Sequence, residues 1–179
     1  MNNNTIRAIK GTQDILPEES MKWQSLEDEL RKISSSYGYK EIRIPAFENT
    51  KLFSRGVGEE TDIVSKEMYS WTDQGGENLT LKPELTAPVA RAYIQHNLGR
   101  IRPINKLYYI DALFRRERPQ KGRYRQFHQF GVEAFGSEHP EIDAEVIALA
   151  ISVFESLGLE GLKLSLNSIG SAECRENYR

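Results

Sequence analysis

The sequence predicts an α+β fold, a mainly antiparallel β-sheet flanked by helices. Three features carry that expectation. Strand-to-strand connections outnumber strand–helix–strand units, two long stretches of alternating pattern face each other across a short basic loop, and helical segments lie on either side. With 179 residues and 39% hydrophobic content, the chain can bury one sizeable core, so one domain or a large part of one is expected.

Taken in order, the first thirteen residues are polar. Trp23, Leu26, Leu30, Ile33 and Tyr37 then recur every three or four positions, one face of a helix that Pro17 begins and Gly38 ends. Ile42 and Ile44 alternate with charged neighbours in a short strand that stops at Pro45. A helical turn around Leu52 and Phe53 leads to a loop at Gly56-Val57-Gly58. Met68 to Thr72 and Asn78 to Lys82 are paired strands joined across Asp73-Gln74-Gly75-Gly76-Glu77. Thr86 can cap a helix with Pro88 in its first turn, running toward Gly99. Residues 104 to 117 and 126 to 135 are the two long strands. Pro140 opens a helix with Val146, Ile147, Ala150, Ile151, Phe154 and Leu157 inward, closed by Gly158. Leu162, Leu164 and Leu166 alternate as a last strand, and a further helix begins near Ser171.

Composition excludes several classes. No apolar run approaches a membrane span, and Met1-Asn2-Asn3-Asn4 lacks the apolar core of a signal peptide. The lone Cys174 has no disulfide partner or metal-ligand spacing and fits a reduced thiol in the cytoplasm. A formal charge of −2 argues against a protein that coats DNA. No Gly-x-x-x-x-Gly-Lys-Ser/Thr is present, and Gly56-Val57-Gly58 lacks the third glycine and the preceding strand of a dinucleotide-binding turn. His96, His128 and His139 are spaced too irregularly for a zinc site, and no metal-ligating residues are assigned.

The charge is unevenly placed. From Arg115 to Arg125 five arginines and Lys121 stand against one acid, Glu117, a local +5 that leaves −7 for the rest of the chain. A loop of this kind suits a polyanion, whether a nucleoside triphosphate, a nucleic-acid end or both. Arginine forks match phosphate oxygens with two parallel hydrogen bonds, which lysine cannot do. Glu117 could simply neutralise its neighbours.

In the second long strand Phe127, Gln129, Gly131, Glu133 and Phe135 share a face. One reading is a solvated outer face with a glycine bulge. The other is a ligand platform, in which Gly131 leaves room for a small molecule clasped by Gln129 and Glu133. The phenylalanines at both ends favour the platform. His128 falls on the opposite face, where a packed histidine is expected. Lys82-Pro83-Glu84-Leu85-Thr86 sits where a strand gives way to a helix. Its acid and hydroxyl can serve as helix caps, as holders of a ligand's ammonium group, or as both.

These segments resemble one family. Lys10-Gly11-Thr12-Gln13-Asp14-Ile15-Leu16-Pro17, Pro83-Glu84-Leu85-Thr86, the run from Arg115 through Glu133, and Leu166-Asn167-Ser168-Ile169-Gly170-Ser171 are similar to the N-terminal catalytic part of histidyl-tRNA synthetase. The likeness extends from about residue 6 to the C-terminus. It implies a class II aminoacyl-tRNA synthetase core, here incomplete. Residues 1–179 would be the N-terminal part of the catalytic domain. The first class II signature would be the long helix and strand ending at Pro45, which builds a dimer interface in the family; the second would be Phe114 to Phe135. The third signature, the histidine-specific Arg-Gly-Leu-Asp-Tyr-Tyr segment and the anticodon-binding domain have no counterpart in the chain.

The resemblance also implies residue roles. Arg115 would bind the α-phosphate of ATP and act in catalysis, Glu117 would lie near the adenosine, and Arg123 would reach the terminal phosphates. Glu84, Thr86 and Gln129 would hold the α-amino group of histidine, and Glu133 would accept from its imidazole. Leu85 stands in that segment where the family often has glycine. Arg118, Gln120 and Lys121 would approach the acceptor end of tRNA(His). ATP would be a substrate used with Mg2+, the intact protein a cytoplasmic homodimer serving protein biosynthesis, and this portion alone inactive. The alternative that the resemblance allows is a non-catalytic, histidine-sensing paralogue, the regulatory subunit of ATP phosphoribosyltransferase. The intact run from Arg118 to Arg125 weighs against it.

Overall fold

The structure is a computed structural model and describes residues 5–57, 67–118 and 120–167. Its elements run α1 (Pro17–Ser36), β1 (Lys40–Glu41), β2 (Phe47–Asn49), α2 (Thr50–Val57), β3 (Ser70–Thr72), β4 (Asn78–Leu81), α3 (Thr86–Gln95), α4 (Leu98–Ile101), β5 (Asn105–Phe114), β6 (Gln126–Phe135) and α5 (Pro140–Ser156). Two three-stranded sheets form, ordered β1-β5-β6 and β2-β4-β3. Every pairing is antiparallel except β1 with β5, so the α+β expectation holds.

Alternation along β5 and β6 divides the main sheet into two faces. On one face Tyr108, with Ile110, Phe130 and Val132, packs against Leu30, Ile33 and Tyr39 from α1 and the turn after it, and against Leu149 and Val153 of α5. Tyr37 Oη and Ser152 Oγ, 2.8 Å apart, join the two helices. On the other face Leu107, Tyr109 and Leu113 pack under Leu85, Val89 and Ala92 of α3, with Ile44 beside them. Each fully buried aliphatic or aromatic side chain contributes roughly 1.5–3 kcal/mol. Both layers therefore depend on the same two strands.

Helix starts follow the local chemistry. Pro17 occupies the first turn of α1, where its missing N–H costs nothing, and Glu18 and Glu19 face the positive end of the helix dipole. Pro140, Glu141 and Asp143 repeat that arrangement in α5.

Several expectations need correction. The strand read through Ile42 and Ile44 is confined to Lys40–Glu41. One further ladder bond, Ile42 N–H to the Tyr108 carbonyl at 2.9 Å, carries the chain on before Ile44 turns into the core. The stretch read as 104 to 117 ends as a strand at Phe114. Beyond it the Arg115 N–H still reaches the Arg125 carbonyl (2.9 Å), but the Arg116 N–H goes to Glu67 (2.6 Å) and leaves the ladder. The loop placed at Gly56-Val57-Gly58 is helix as far as Val57, and Gly58 lies outside the described residues. The inward face of α5 is also different. Leu149 and Val153 are buried, whereas Ile151, Phe154 and Leu157 are 37–44% exposed. The helix is apolar on two sides, and α1 and β5–β6 take the side that the spacing alone did not favour. The other side, with Ile147, Ile151 and Phe154, borders a groove of about 550 Å³ shared with Leu159, Leu162 and Leu164. Leu162, Leu164 and Leu166 form no strand and are 53–69% exposed, because no neighbouring strand among the described residues offers them a ladder. The helix expected near Ser171 lies outside the described residues.

At the end of β6, Gly136 has φ +94°, and a Cβ placed there would overlap the Pro103 carbonyl. Both backbone strain and the steric clash forbid a side chain. Gly136→Ala is expected to lower stability by about 2 kcal/mol or more, read as the shift of the urea midpoint. An unchanged midpoint would contradict the close approach.

Candidate functional site

The site lies on the α3-facing side of β5 and β6, and the strand register sets its members. Leu107 pairs with Glu133, Tyr109 with Gly131, Asp111 with Gln129, and Leu113 with Phe127. Paired residues in an antiparallel ladder project from the same face, so Gln129, Gly131 and Glu133 lie in line beneath the start of α3. The structure thus places Gln129 and Glu133 on the sheet face under α3, with Thr86 bonded to Glu133 and Glu84 close enough to feel the Glu133 charge; this region is the candidate cleft.

The start of α3 departs from the capping expected of Thr86. Leu85 occupies the N-cap position, and no N-cap side chain makes the capping bond. Glu84 takes over: both its carboxylate oxygens lie 3.2 Å from the Ala87 N–H. This frees the Thr86 hydroxyl to donate to Glu133 Oε1 at 2.8 Å. Leu85, 1% exposed, is a core residue that anchors the helix start between Glu84 and Thr86. The same five-residue segment thus supplies a cap, a plug and a link to β6.

The space above Gly131 is filled, against expectation. The Tyr109 ring lies over it, where a Cβ at 131 would overlap ring and hydroxyl. Tyr109 is 3% exposed, and its hydroxyl donates to Glu133 Oε1 at 3.4 Å. Gly131 is therefore required by a tyrosine rather than by a ligand. Glu133 collects Thr86 and Tyr109 on Oε1, and Oε2 accepts no hydrogen bond among the described residues. Burial, then the charge of Glu133, pushes the Tyr109 phenol up to about 12, so it stays protonated and remains a donor. Tyr109 and Asp111 escaped the sequence reading. Their signal was an aromatic and an acid alternating with Leu107 and Leu113 on a face that otherwise buries apolar groups.

Arg115 stands at the open end. Its Nε donates to the Pro83 carbonyl at 2.9 Å, and its guanidinium lies 5.2 Å from the Phe127 ring centroid. These contacts fix the plane, and Nη1 lies 4.0 Å from Glu117 Oε1. Glu117 also meets Arg123 Nη1 at 3.4 Å, so it does neutralise neighbours, bridging two arginines 8 positions apart. The loop tip closes as a tight turn: Arg123 N–H reaches the Gln120 carbonyl at 2.9 Å, and Gly122 supplies the φ of +79° that the turn requires. Arg118, Gln120 and Lys121 are exposed around that tip, apart from the Glu84–Glu133 cleft. The base of the loop is held from outside, since the Gly11 carbonyl accepts from Arg125 N–H (2.7 Å) and Gln126 N–H (3.4 Å). His128, on the opposite face, packs on Trp23 with ring centroids 4.6 Å apart.

Chemically the cleft offers three carboxylates (Glu84, Asp111 and Glu133), a hydroxyl and an amide at one end and a fixed guanidinium at the other. Such a set of groups suits a small molecule bearing donors next to a polyanion. Burial first, and the Glu133 charge after it, raise the Glu84 carboxyl above the usual carboxylate range, while the Ala87 and Thr86 N–H groups and Arg115 oppose the shift. The folded chain therefore holds the Glu84 proton more tightly than the unfolded chain, and ionising it costs stability as pH rises through that window. Glu84→Gln keeps an oxygen for the Ala87 N–H. Its melting temperature relative to the parent is expected to rise between about pH 4 and pH 7; a difference that shrank with pH would contradict a costly charge at this position.

Comparison with known proteins places the chain in one family. A family model described as histidyl-tRNA synthetase matches residues 11–173. The histidine–tRNA ligase of Natranaerobius thermophilus is 58% identical over 172 residues, covering 96% of this chain and 41% of that protein. The solved apo histidyl-tRNA synthetase of S. aureus superposes with a TM-score of 0.81 at 44% identity, covering 97% of this chain and 40% of that one. A Bacillus halodurans structure described as an ATP phosphoribosyltransferase regulatory subunit/histidyl-tRNA synthetase matches at 30% identity, with a TM-score of 0.71, 86% of this chain and 38% of its own. The chain spans about two-fifths of the length of the curated relatives it matches.

Proposed function

The chain belongs to the histidyl-tRNA synthetase family, and we propose that it forms the histidine pocket and half of the ATP pocket of a histidine–tRNA ligase. The observation that carries this reading is the shared framework of the two subsites. Pro83 holds Arg115 through its carbonyl, and the next residue, Glu84, begins the carboxylate cluster. Two reactants held on one short segment meet in fixed geometry, which can supply a large part of a bimolecular barrier.

In this reading Glu84, Thr86 and Gln129 receive the α-amino group of histidine, with Leu85 fixing the helix start between the first two. Glu133 Oε2 accepts from an imidazole N–H. A pocket whose buried acceptor would be left unpaired rejects an apolar analogue by as much as 10⁴–10⁵-fold, to order of magnitude. The histidine carboxylate attacks the α-phosphorus of ATP, the α–β bridging bond breaks, and pyrophosphate leaves. The adenylate then passes its histidyl group to a terminal hydroxyl of tRNA(His), releasing AMP. Arg115 stabilises charge at the α-phosphate, and Arg123 reaches the terminal phosphates. Glu117 bridges both arginines beside the adenosine. Among the described residues no group of three or more His, Cys, Asp or Glu side chains could cage a metal. In this reading Mg2+ would be carried on the ATP phosphates, where it would neutralise charge. Arg118, Gln120 and Lys121 at the exposed turn approach the tRNA end. In this reading the intact protein is a cytoplasmic homodimer.

The full-length protein is expected to catalyse ATP–pyrophosphate exchange with histidine alone among the amino acids, and then to charge tRNA(His). Arg115→Ala should cut the kcat of exchange by about 10²-fold or more while histidine binding survives. Histidine binding without exchange in the unsubstituted protein would favour the histidine-sensing regulatory subunit instead. The 179-residue chain by itself is expected to show little or no exchange; turnover matching the full-length protein would overturn the assignment of only half an ATP pocket to it.

A further inference from the structure

Lys82 is 2% exposed, one of three buried polar or charged residues among those described. A buried ammonium costs several kcal/mol unless it is paired and hydrogen-bonded. Its Nζ donates to Asp111 Oδ2 at 2.5 Å and to the Ile44 carbonyl at 3.2 Å. Asp111 is directly opposite Gln129 on the site face, and its second oxygen accepts from the Ala112 N–H at 2.7 Å. The main-chain bonds of this segment do not need the lysine. Lys82 N–H to Ala46, Phe114 N–H to Lys82, and Arg115 Nε to Pro83 would form with any residue at 82. The side chain therefore acts on Asp111.

Three carboxylates face the cleft: Glu84, Asp111 and Glu133. Of these, Asp111 alone has a cation within ion-pair distance among the described residues. The Gln129 amide makes no hydrogen bond to the described chain. An unpaired Asp111 would change both conditions. It would add a third negative charge beside the ligand's amino group and would be free to accept from the Gln129 amide across the strand pair.

We propose that Lys82 is a positioning residue for amino-acid recognition: by holding Asp111 it withdraws one carboxylate from the pocket and leaves Gln129 available to the ligand. The inference rests on the histidine-pocket reading above. Lys82 touches neither reactant and acts through Asp111 and Gln129.

The test uses the full-length protein and ATP–pyrophosphate exchange with histidine, comparing Lys82→Met, Lys82→Arg and the double variant Lys82→Met/Asp111→Asn. Lys82→Met is expected to raise the KM for histidine about tenfold or more, with the KM for ATP within about twofold because the Arg115–Pro83 bond remains. Lys82→Arg should restore most of the histidine KM, and so should the double variant, in which no uncompensated carboxylate is left. Should Lys82→Met fail to fold, the double variant carries the test, and a histidine KM within about threefold of the parent is expected. A double variant as impaired as the single one, or parallel increases in both KM values that follow the melting temperature, would sink the proposal. Absence of histidine-dependent exchange in the parent protein would instead remove the ligase reading, and this inference with it.

Discussion

Ten residue pairs, from Asn105 with Phe135 to Phe114 with Gln126, lock β5 to β6, and both cores and the site take their places from that register. A slip of one residue would exchange the faces. If β6 slipped against a fixed β5, Phe130 and Val132 would turn toward α3, and Gln129 and Glu133 toward α1 and α5. The register is guarded at several points along its length. Tyr109 fits only over a glycine, which Gly131 provides. The Tyr93 ring stacks on Phe135 with centroids 4.4 Å apart, and Thr86 reaches across to Glu133. Packing and polar contacts select the same alignment.

On that frame the charges are separated by distance along one strand pair. The carboxylates (Glu133 of β6, Asp111 of β5 and Glu84 before α3) collect under the start of α3, and the arginines collect where the strands open. Arg115 belongs to both regions: Pro83 and Phe127 hold it by hydrogen bond and ring face, while Glu117 draws it toward the loop. Such an arrangement can keep an ammonium-bearing reactant and a polyphosphate adjacent without letting their counter-charges neutralise each other. The exposed turn at Gln120 to Arg123 is a separate surface, set by its own glycine and linked to the cleft through Glu117.

Much of this was legible in the sequence, and the exceptions have physical causes. The helix at Pro17, the hairpin around residues 73–77 and the long strand pair followed from spacing and turn residues, because local pattern decides them. The α5 face did not: a helix apolar on two sides satisfies more than one stripe, and only its neighbours decide which is buried. Gly131 was read as room for a ligand because a missing side chain looks the same in sequence whether a small molecule or a tyrosine fills the space. Ser and Thr usually serve as caps, which points to Thr86, yet Glu84 two residues earlier has a carboxylate with the same reach. Lys82 and Asp111 lie 29 positions apart. Nothing local announces such a pair except an acid on an apolar strand face.

The double acceptance at Gly11 has a consequence for how the basic loop behaves. Its carbonyl holds the N–H groups of Arg125 and Gln126, so the returning limb of the loop is fastened to a segment near the beginning of the chain. Thr12 tightens that segment by bonding back to Ile9 through both its N–H and its hydroxyl. Whatever grips residues 9 to 12 therefore also restrains the loop, and a deletion there would loosen it without touching an arginine. Amide exchange would reveal that coupling directly: the Arg125 and Gln126 amides should lose protection together when the first dozen or so residues are removed.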